Sequence, residues 1–360
     1  MRAVRGTATR AVATDAVEGL GSGSPGRPEM PGLPGGFDPA PRRRFGGVDL
    51  GTVSQTMGSL LSLVILSLGI WIAEPVFMSD NNWINIARQA SFNAILGMGM
   101  TFVILTGGVD LSVGSIVAVS SVTGGLLIFD YGWNMWPAVL AMVAAGGLCG
   151  LFNGVIVTLG KIPPFIVTLG TMQIFRGIAL QLTNGSPRAG IRESAPNFDI
   201  WGTRNFWGVP SPVIIAAVVF VAGYLILRYT RLGLYTYAIG GNEQATRFSG
   251  VHIDRYKLTV YTLMGVTAGI AGVMITSRLN SSQPTVGNGA ELDAIAAVVI
   301  GGTSLFGGEG TIVGTIIGAL LMAVIRNGLT LMHVSAFYQQ IVIGSVIILA
   351  VLIDRLRRRG

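Results

Sequence analysis

Asp110 is an acidic residue in a stretch that is otherwise apolar and rich in glycine. Residues 104–119 read ILTGGVDLSVGSIVAV. A helix that begins inside a membrane leaves about four backbone N–H groups unpaired, and an aspartate at its start can accept from them while Gly107 and Gly108 supply the turn. In the alternative interpretation, Asp110 or Ser112 lines a path and hydrogen-bonds a solute. The two roles are compatible, and both require Asp110 to face protein or water rather than lipid.

Two further acids, Glu291 and Asp293, open a second apolar run, GNGAELDAIAAVVIGGTSLFGGEG. The charge-free residues 294–300 cover only about 10 Å as a helix. We interpret Glu291 as solvated at the membrane interface. Asp293 lies two residues deeper and is interpreted as a helix cap, with a ligand group as the alternative.

Gln173 and Arg176 lie three residues apart in PPFIVTLGTMQIFRGIALQL, and therefore on one face of a helix. Phe165 and Leu169 extend that face. An aromatic surface beside planar amide and guanidinium donors suits a ligand that has both C–H groups and hydroxyls. The alternative for Arg176 is that its side chain snorkels outward, since it lies about 9 Å from the end of its span.

The remaining asparagine, cysteine and histidine residues of interest are interpreted as structural rather than as ligands. We interpret Asn153 in GLFNG and Asn327 in IRNG as ties between helices rather than as ligands. Cys149 is the one cysteine, which excludes disulfides and cysteine metal sites. His252 and His333 are far apart in sequence, which argues against a histidine metal site.

The composition requires a membrane around these elements. Of the 360 residues, 51% are hydrophobic and only 11% are charged, against about 25% charged in soluble domains, and the mean hydropathy is +0.63. So much apolar surface predicts an all-α, polytopic membrane protein in contact with lipid. The net charge of +7 comes from basic residues in short loops and at both ends, so we expect no nucleic-acid partner.

Ten apolar runs are candidates for membrane spans, each of which needs about 20 residues. We predict them at residues 57–77, 84–105, 111–128, 136–158, 164–182, 210–228, 257–277, 291–306, 311–330 and 337–353. Two are abnormal: the third is cut by Gly124-Gly125, and the eighth is the short run that contains Asp293. Broken helices at comparable places in two halves of a chain point to a substrate site near the membrane midplane.

The basic residues predict the orientation of the chain in the cytoplasmic membrane. Ten crossings put both termini on the same side of the membrane. That side carries most of the basic segments, namely Arg42–Arg44, Lys161, the loop 229–256 and the C-terminal RLRRR. Because basic residues are enriched in cytoplasmic loops, we predict that this side is cytoplasmic. Residues 1–50, rich in Pro, Gly and Ser, are predicted to be a disordered cytoplasmic tail. Residues 51–360 form the transmembrane domain.

The loop 229–256 contains the signals of one short helix. Asn242 is a cap, Glu243 lies in the first turn, Arg247 lies toward the last turn, and Gly250 is a stop signal. A helix of about seven residues is too short to persist alone in water, so something must hold it. A solvated connector is the alternative to a helix that docks on a partner.

The chain contains four long motifs, in the order GMGMTFVILTGGVDLSVGSIVAVS, KIPPFIVTLGTMQIFRGIAL, AIGGNEQATRFSGV and ELDAIAAVVIGGTSLFGGEGTIVGT. These motifs resemble the permease subunits of bacterial sugar ABC importers of the ribose type, and the resemblance covers roughly residues 55–355. The resemblance implies an ABC importer permease fold, a second permease chain (a homodimer is expected), a cytoplasmic ATPase that binds ATP and Mg, and an external sugar-binding protein that delivers pentoses or hexoses. It implies no cofactor in this chain, and ribose is the first expectation for the sugar. The tail of residues 1–50 departs from the family pattern.

The resemblance also implies roles for the polar residues. The short helix would dock on the ATPase, with Ala245 allowing close approach and Glu243 and Arg247 in contact with the partner, between the cap Asn242 and the stop Gly250. The sugar path would be lined by residues of several spans: Asp110, Ser112, Asn153, Phe165, Gln173, Arg176, Asp293 and Asn327.

Three other functions compete with sugar import. An ion- or proton-coupled carrier would use Asp110 and Asp293 as titrating groups, but it has no need of a docking helix. An ABC permease for branched-chain amino acids or nucleosides would share the fold and the coupling. An intramembrane enzyme would need a Ser–His arrangement, a His cluster or closely spaced carboxylates, which the sequence lacks. Because no G-x-x-x-x-G-K-[ST] motif is present, energy from ATP must come from another polypeptide.

Overall fold

The structure, a computed structural model, describes the backbone of residues 44–45 and 48–357 and the side chains of residues 57–356. This part of the chain folds into helices that follow one another in the order α1 (Leu50–Ala73), α2 (Asp80–Leu105), α3 (Val113–Phe129), α4 (Met135–Leu159), α5 (Pro164–Thr183), α6 (Ile191–Ser194), α7 (Ser211–Tyr229), α8 (Arg231–Gly241), α9 (Glu243–Phe248), α10 (Ile253–Leu279), α11 (Ala290–Ile300), α12 (Ile312–Leu331) and α13 (Ala336–Arg357). Two 3-10 turns are Pro75–Met78 and Phe198–Trp201. Two-residue strands pair antiparallel: Arg44–Phe45 with Val48–Asp49, Arg188–Ala189 with Ser281–Ser282, and Asn205–Phe206 with Val209–Pro210. The predicted tail at residues 1–50 lies almost entirely outside the described residues.

Six of the described helices are long and apolar enough to cross a membrane, namely α4, α5, α7, α10, α12 and α13. The apolar part of α1, Met57–Ala73, and α3 are shorter. The polytopic helical class is therefore supported, whereas the predicted count of ten spans is not confirmed. The run predicted as an eighth span, 291–306, overlaps the 11-residue helix α11, which begins at Ala290. At 1.5 Å per residue, α11 is about 16 Å long and cannot cross about 30 Å of hydrocarbon.

The predicted break at Gly124-Gly125 is wrong, because α3 runs through both residues without interruption. Instead, these two glycines allow neighbouring elements to pack closely against α3. A Cβ atom on Gly124 would lie 2.4 Å from the sulfur of Met142 in α4. A Cβ atom on Gly125 would lie 2.4 Å from Oγ of Ser282, which follows α10. The missing side chains therefore let two neighbouring elements approach the axis of α3.

The most extensive helix contact in the described part of the chain joins α4 and α10 through two glycine pairs spaced four residues apart. Gly146 and Gly150 on α4 face Gly265 and Gly269 on α10. A Cβ atom on Gly150 would lie 2.2 Å from the carbonyl oxygen of Tyr261, and one on Gly265 would lie 2.2 Å from that of Gly146. Small residues at this spacing let the backbones of membrane helices approach closely and pack by van der Waals contact.

We expect the substitution Gly150→Ala to push α4 away from α10. Its added methyl group meets backbone rather than a flexible side chain, and overpacking of this kind lowers the free energy of unfolding by about 1–3 kcal/mol. The measurement is thermal unfolding of the purified chain in detergent, followed by tryptophan fluorescence. The matched control is Gly69→Ala in α1, where no atom lies within 4 Å of an added Cβ. Equal melting of the two variants would contradict the close contact.

The segment between α5 and α7 packs on the end of α10. The backbone N–H of Arg192 donates to Oδ1 of Asn280 at 2.9 Å, and its guanidinium donates to the carbonyl oxygen of Ser277 at 2.9 Å. Ser277 in turn donates from Oγ to the carbonyl oxygen of Phe198, at 2.7 Å. Phe198 is fully buried. The segment is therefore fixed to the membrane helices and marks one end of the bundle.

Candidate functional site

Asp110 belongs to the turn between α2 and α3 and is fully buried. Its Oδ1 accepts the backbone N–H of Ser112 at 2.8 Å and the Ser112 hydroxyl at 2.6 Å. Asn153 of α4 donates from Nδ2 to Asp110 Oδ2 at 3.3 Å and to Ser112 Oγ at 2.7 Å. Gly107, with φ of +77°, makes the preceding turn possible. The result is a buried polar cluster that ties α4 to the start of α3.

This cluster corrects one interpretation of Asp110 and leaves another untested. Ser112 occupies the N-cap position of α3 and makes no side-chain cap bond. Asp110 therefore stabilises the turn through the N–H of Ser112 rather than capping N–H groups inside the helix. Asn153 is a tie between helices, as predicted. Because Asp110, Ser112 and Asn153 are fully buried, their predicted contact with sugar remains a prediction.

Asp293 forms an ion pair rather than the predicted helix cap. Arg326 of α12 donates from Nη2 to both carboxylate oxygens of Asp293, at 2.6 and 2.8 Å. The N-cap of α11 is Gly289, and its N–H is accepted by Oε1 of Glu291 at 3.2 Å. Glu291 therefore helps to close the start of α11 and is not merely solvated. Arg326, a cation inside an apolar run, is the sequence signal that the earlier interpretation missed.

Asn327 pairs with Asn82 of α2. The two side-chain amides donate to each other at 2.7 and 2.9 Å. Asn82 is buried. This reciprocal pair is the tie between helices that the sequence predicts. Asn327 directly follows Arg326 on α12, so neighbouring residues of α12 bind α2 and α11.

The face of α5 that carries Phe165, Leu169 and Gln173 is exposed in the single chain. Phe165 and Leu169 are 56% and 43% exposed, and Gln173 is also exposed. Arg176 neither snorkels outward nor points freely into space. Its Nη1 donates to the carbonyl oxygens of Pro284 at 2.6 Å and of Val286 at 3.0 Å. Arg176 thus ties α5 to the segment before α11.

The short helix in the loop 229–256 is confirmed as α9, six residues long. Asn242 caps it by accepting the N–H of Ala245 on Oδ1, at 2.9 Å, and Gly250 follows with φ of +82°. Thr246, which is buried, donates to the carbonyl oxygen of Ala238 in α8 at 2.9 Å. Contacts with the rest of the chain therefore hold this helix in place.

Glu243 connects α9 to α10. Its carboxylate accepts from Nζ of Lys257 at 2.8 Å and from Arg247 at 3.5 Å. Arg247 also lies 4.0 Å from Asp254. Burial would raise the pKa of Glu243, but the hydrogen bond and charge of Lys257, joined by those of Arg247, outweigh burial and lower the pKa below its ordinary value. A charged Glu243 thus links the start of α9 to the start of α10.

Phe248, the last residue of α9, is 90% exposed. Ala245 is exposed as well, so the side of α9 opposite Thr246 presents a small residue and an aromatic ring outward. The sequence interpretation did not include Phe248 in the site. Its signal was a large apolar residue in an otherwise hydrophilic loop.

Within the described residues, no group of three or more His, Cys, Asp or Glu side chains could hold a metal ion. Cys149 is half-buried in α4.

The sequence matches the family described as "Branched-chain amino acid transport system / permease component" over residues 82–351. It is 48% identical over 297 residues to the ribose import permease protein RbsC of Escherichia coli, covering 82% of this chain and 92% of that protein. It is 46% identical over 304 residues to RbsC of Bacillus subtilis, covering 84% and 94%. It is 34% identical over 358 residues to the xylose transport system permease protein XylH of Escherichia coli, covering 82% and 90%. No solved structure matches the chain.

Proposed function

The chain belongs to the permease family of binding-protein-dependent ABC importers, within its ribose-type sugar group, and we propose that its substrate is a monosaccharide, with ribose as the first candidate and other pentoses or hexoses as alternatives. It is the membrane-spanning, non-enzymatic subunit of an ATP-driven sugar importer, with an ATPase and an external binding protein as partners. Relatives at 34–48% identity are named for ribose, D-allose and xylose. Amino acids, nucleosides and ion coupling are therefore not favoured.

The proposal that α9 couples the permease to its ATPase rests on one observation: one side of α9 is attached to the chain and the other side is exposed. Thr246 and Lys257 attach one side of the helix to α8 and α10, while Ala245 and Phe248 are exposed on the other. In the proposed complex, this exposed side contacts the ATPase, which carries the ATP and Mg. Movement of α9 then passes to α10 through the Glu243–Lys257 ion pair.

The sugar path is proposed to run along the exposed face of α5. Gln173 is the tenth of the 20 residues of α5, which puts it near the middle of the membrane. A polar amide at that depth is costly against lipid, so it faces another protein surface or water. We infer that two copies of the chain bring their α5 helices together around a polar path, with Phe165 and Gln173 of each copy lining it.

Replacing Gln173 by alanine is expected to slow sugar uptake roughly two- to tenfold, since the loss of one neutral hydrogen bond costs about 0.5–1.5 kcal/mol. The measurement is ATP-driven uptake by vesicles, with co-purification of the ATPase as the check on assembly. The matched control is Gln181→Ala, an exposed amide in the last turn of the same helix. Unchanged uptake in Gln173→Ala, or an equal loss in both variants, would remove Gln173 from the path.

The chain is proposed to pass the membrane ten times, with both termini in the cytoplasm. In this arrangement α1 and α2 form the first pair of passages, and α3, α4, α5, α7 and α10 follow. The segment 280–289 together with α11 makes one composite passage, and α12 and α13 complete the set. A composite passage explains how an 11-residue helix takes part in a full crossing.

Purifying the permease with its ATPase and sugar-binding protein tests the proposed substrate. ATP hydrolysis by the complex is expected to rise when the binding protein is loaded with ribose, and to rise less with xylose. Leucine is the control for the amino-acid alternative. Stimulation by leucine, or by no monosaccharide at all, would overturn the proposed substrate.

A further inference from the structure

A polar pocket of about 250 Å³ lies inside the chain between α2, α10, α11 and α12. Six polar or charged side chains line it, namely Gln89, Asn93, Arg278, Asn288, Asp293 and Arg326. Pockets for drug-sized ligands are about 300–1,000 Å³, so a pocket slightly below that range holds a smaller molecule. That volume suits a small monosaccharide.

The pocket leads from the end of α10 toward the middle of the membrane. Arg278 is the next-to-last residue of α10, and it is exposed, as is Asn288. Asn93 is the fourteenth of the 26 residues of α2, counted from Asp80, and therefore lies near the helix midpoint. Charged side chains at membrane depth face a water-filled cavity or a polar ligand, and they commonly mark a substrate pathway.

Two donors in the pocket have no hydrogen-bond partner among the described residues. Asn93 is only 3% exposed, and its Nδ2 is unpaired. Arg326 contacts Asp293 through Nη2, but its Nε is buried and unpaired. Burying a polar group without a partner is unfavourable, and most buried donors in proteins are satisfied. Unpaired donors on side chains that line a pocket are the groups that a polar ligand in that pocket would satisfy.

The lining has the chemistry of a sugar site. Amide and guanidinium donors from Asn93 and Arg326 stand beside the Asp293 carboxylate, and Phe92 and Ile275 supply apolar surface for the C–H groups of a ring. A few polar groups on an apolar wall are typical of small-ligand pockets. An anion would gain from the two arginines but would meet the Asp293 carboxylate.

The pocket is connected to the proposed path. Val286 belongs to its lining, and the carbonyl oxygen of Val286 accepts from Arg176 of α5 at 3.0 Å. We propose that this pocket is a monosaccharide subsite within each permease chain, on the outer side of the path along α5. The proposal rests on the proposed function as a sugar permease.

Protection of an engineered cysteine tests the subsite. Asn288→Cys is introduced at the mouth of the pocket together with Cys149→Ala, and the permease–ATPase complex without binding protein is labelled with a maleimide. Ribose is added at about twice its Kd for the pocket, which fills about two thirds of the pockets. Because about one third of the pockets then stays open to the maleimide, labelling is expected to slow about threefold. Adding Asn93→Leu is expected to abolish that protection, and Trp207→Cys, at a side chain that is 98% exposed, serves as the unprotected control.

The possible outcomes distinguish failure of the proposed subsite from failure of the proposed importer function. Labelling of Asn288→Cys that ribose does not slow, while ribose uptake with the binding protein is intact, overturns the subsite and leaves the importer function standing. Protection by inorganic phosphate but not by ribose assigns the pocket to an anion and also overturns it. Loss of ribose uptake in the unsubstituted complex counts against the function itself. Because the Asn288→Cys test keeps Asn93, it does not depend on the folding of the Asn93→Leu variant.

Discussion

Replacing Phe248 by alanine is expected to weaken binding of the ATPase about 30-fold and to abolish most sugar uptake. Truncating an aromatic anchor at the centre of an interface costs about 2 kcal/mol or more, which corresponds to that factor. Phe248 is 90% exposed, and it ends a helix that the rest of the chain holds in place. The loss is therefore expected in the complex and not in the fold of the chain.

Three measurements on Phe248→Ala separate coupling from folding. The melting temperature of the isolated chain is expected to stay unchanged, the affinity for the purified ATPase to fall, and ATP-dependent uptake to fall with it. Trp207→Ala is the matched control, since Trp207 is an aromatic residue that is 98% exposed in the segment between α5 and α7. If Phe248→Ala binds the ATPase and transports normally, α9 is not the docking helix.

Replacing Asp293 by leucine is expected to destabilise the chain by about 3–5 kcal/mol. Only 13% of the Asp293 side chain and 27% of the Arg326 side chain are exposed, so the substitution leaves the arginine charge largely buried and uncompensated. Removing one partner of a buried ion pair has a cost of this size. The measurement is thermal unfolding in detergent, together with the yield of folded chain.

A second variant separates the structural role of the ion pair from its role in transport. The double substitution Asp293→Leu and Arg326→Met removes both charges, and apolar replacement of a whole buried pair is often neutral for stability. We expect the melting temperature to recover while sugar uptake stays low, because two polar side chains of the pocket are lost. Full recovery of uptake would show that the pair serves the fold alone.

Local signals in the sequence predicted the elements that depend on local chemistry. Asn242 and Gly250 bracket α9 because a cap and a stop act within a few residues of the chain. The shortness of α11 was visible in its brief charge-free run. The ties made by Asn153 and Asn327 followed from the cost of an unpaired amide in a membrane. None of these inferences required knowledge of which helices are neighbours.

Features that depend on distant neighbours could not be predicted in this way. A glycine pair inside an apolar run fits either a helix break or a close contact, and at Gly124-Gly125 only the position of α4 decides for contact. Asp293 was interpreted as a cap because its partner Arg326 lies 33 residues away in sequence. The tether from Arg176 to Val286 spans 110 residues. The exposure of Phe248 depends on which side of α9 is attached to α8.

Uptake of radiolabelled ribose into vesicles that contain the purified permease, its ATPase and its binding protein is the most direct test of an ATP-driven passage. Uptake is expected to require enclosed ATP and all three proteins, and to persist when an ionophore collapses the proton gradient. Ribose accumulation by the permease chain alone, or its loss on adding the ionophore while ATP is present, would contradict a passage driven by a partner ATPase.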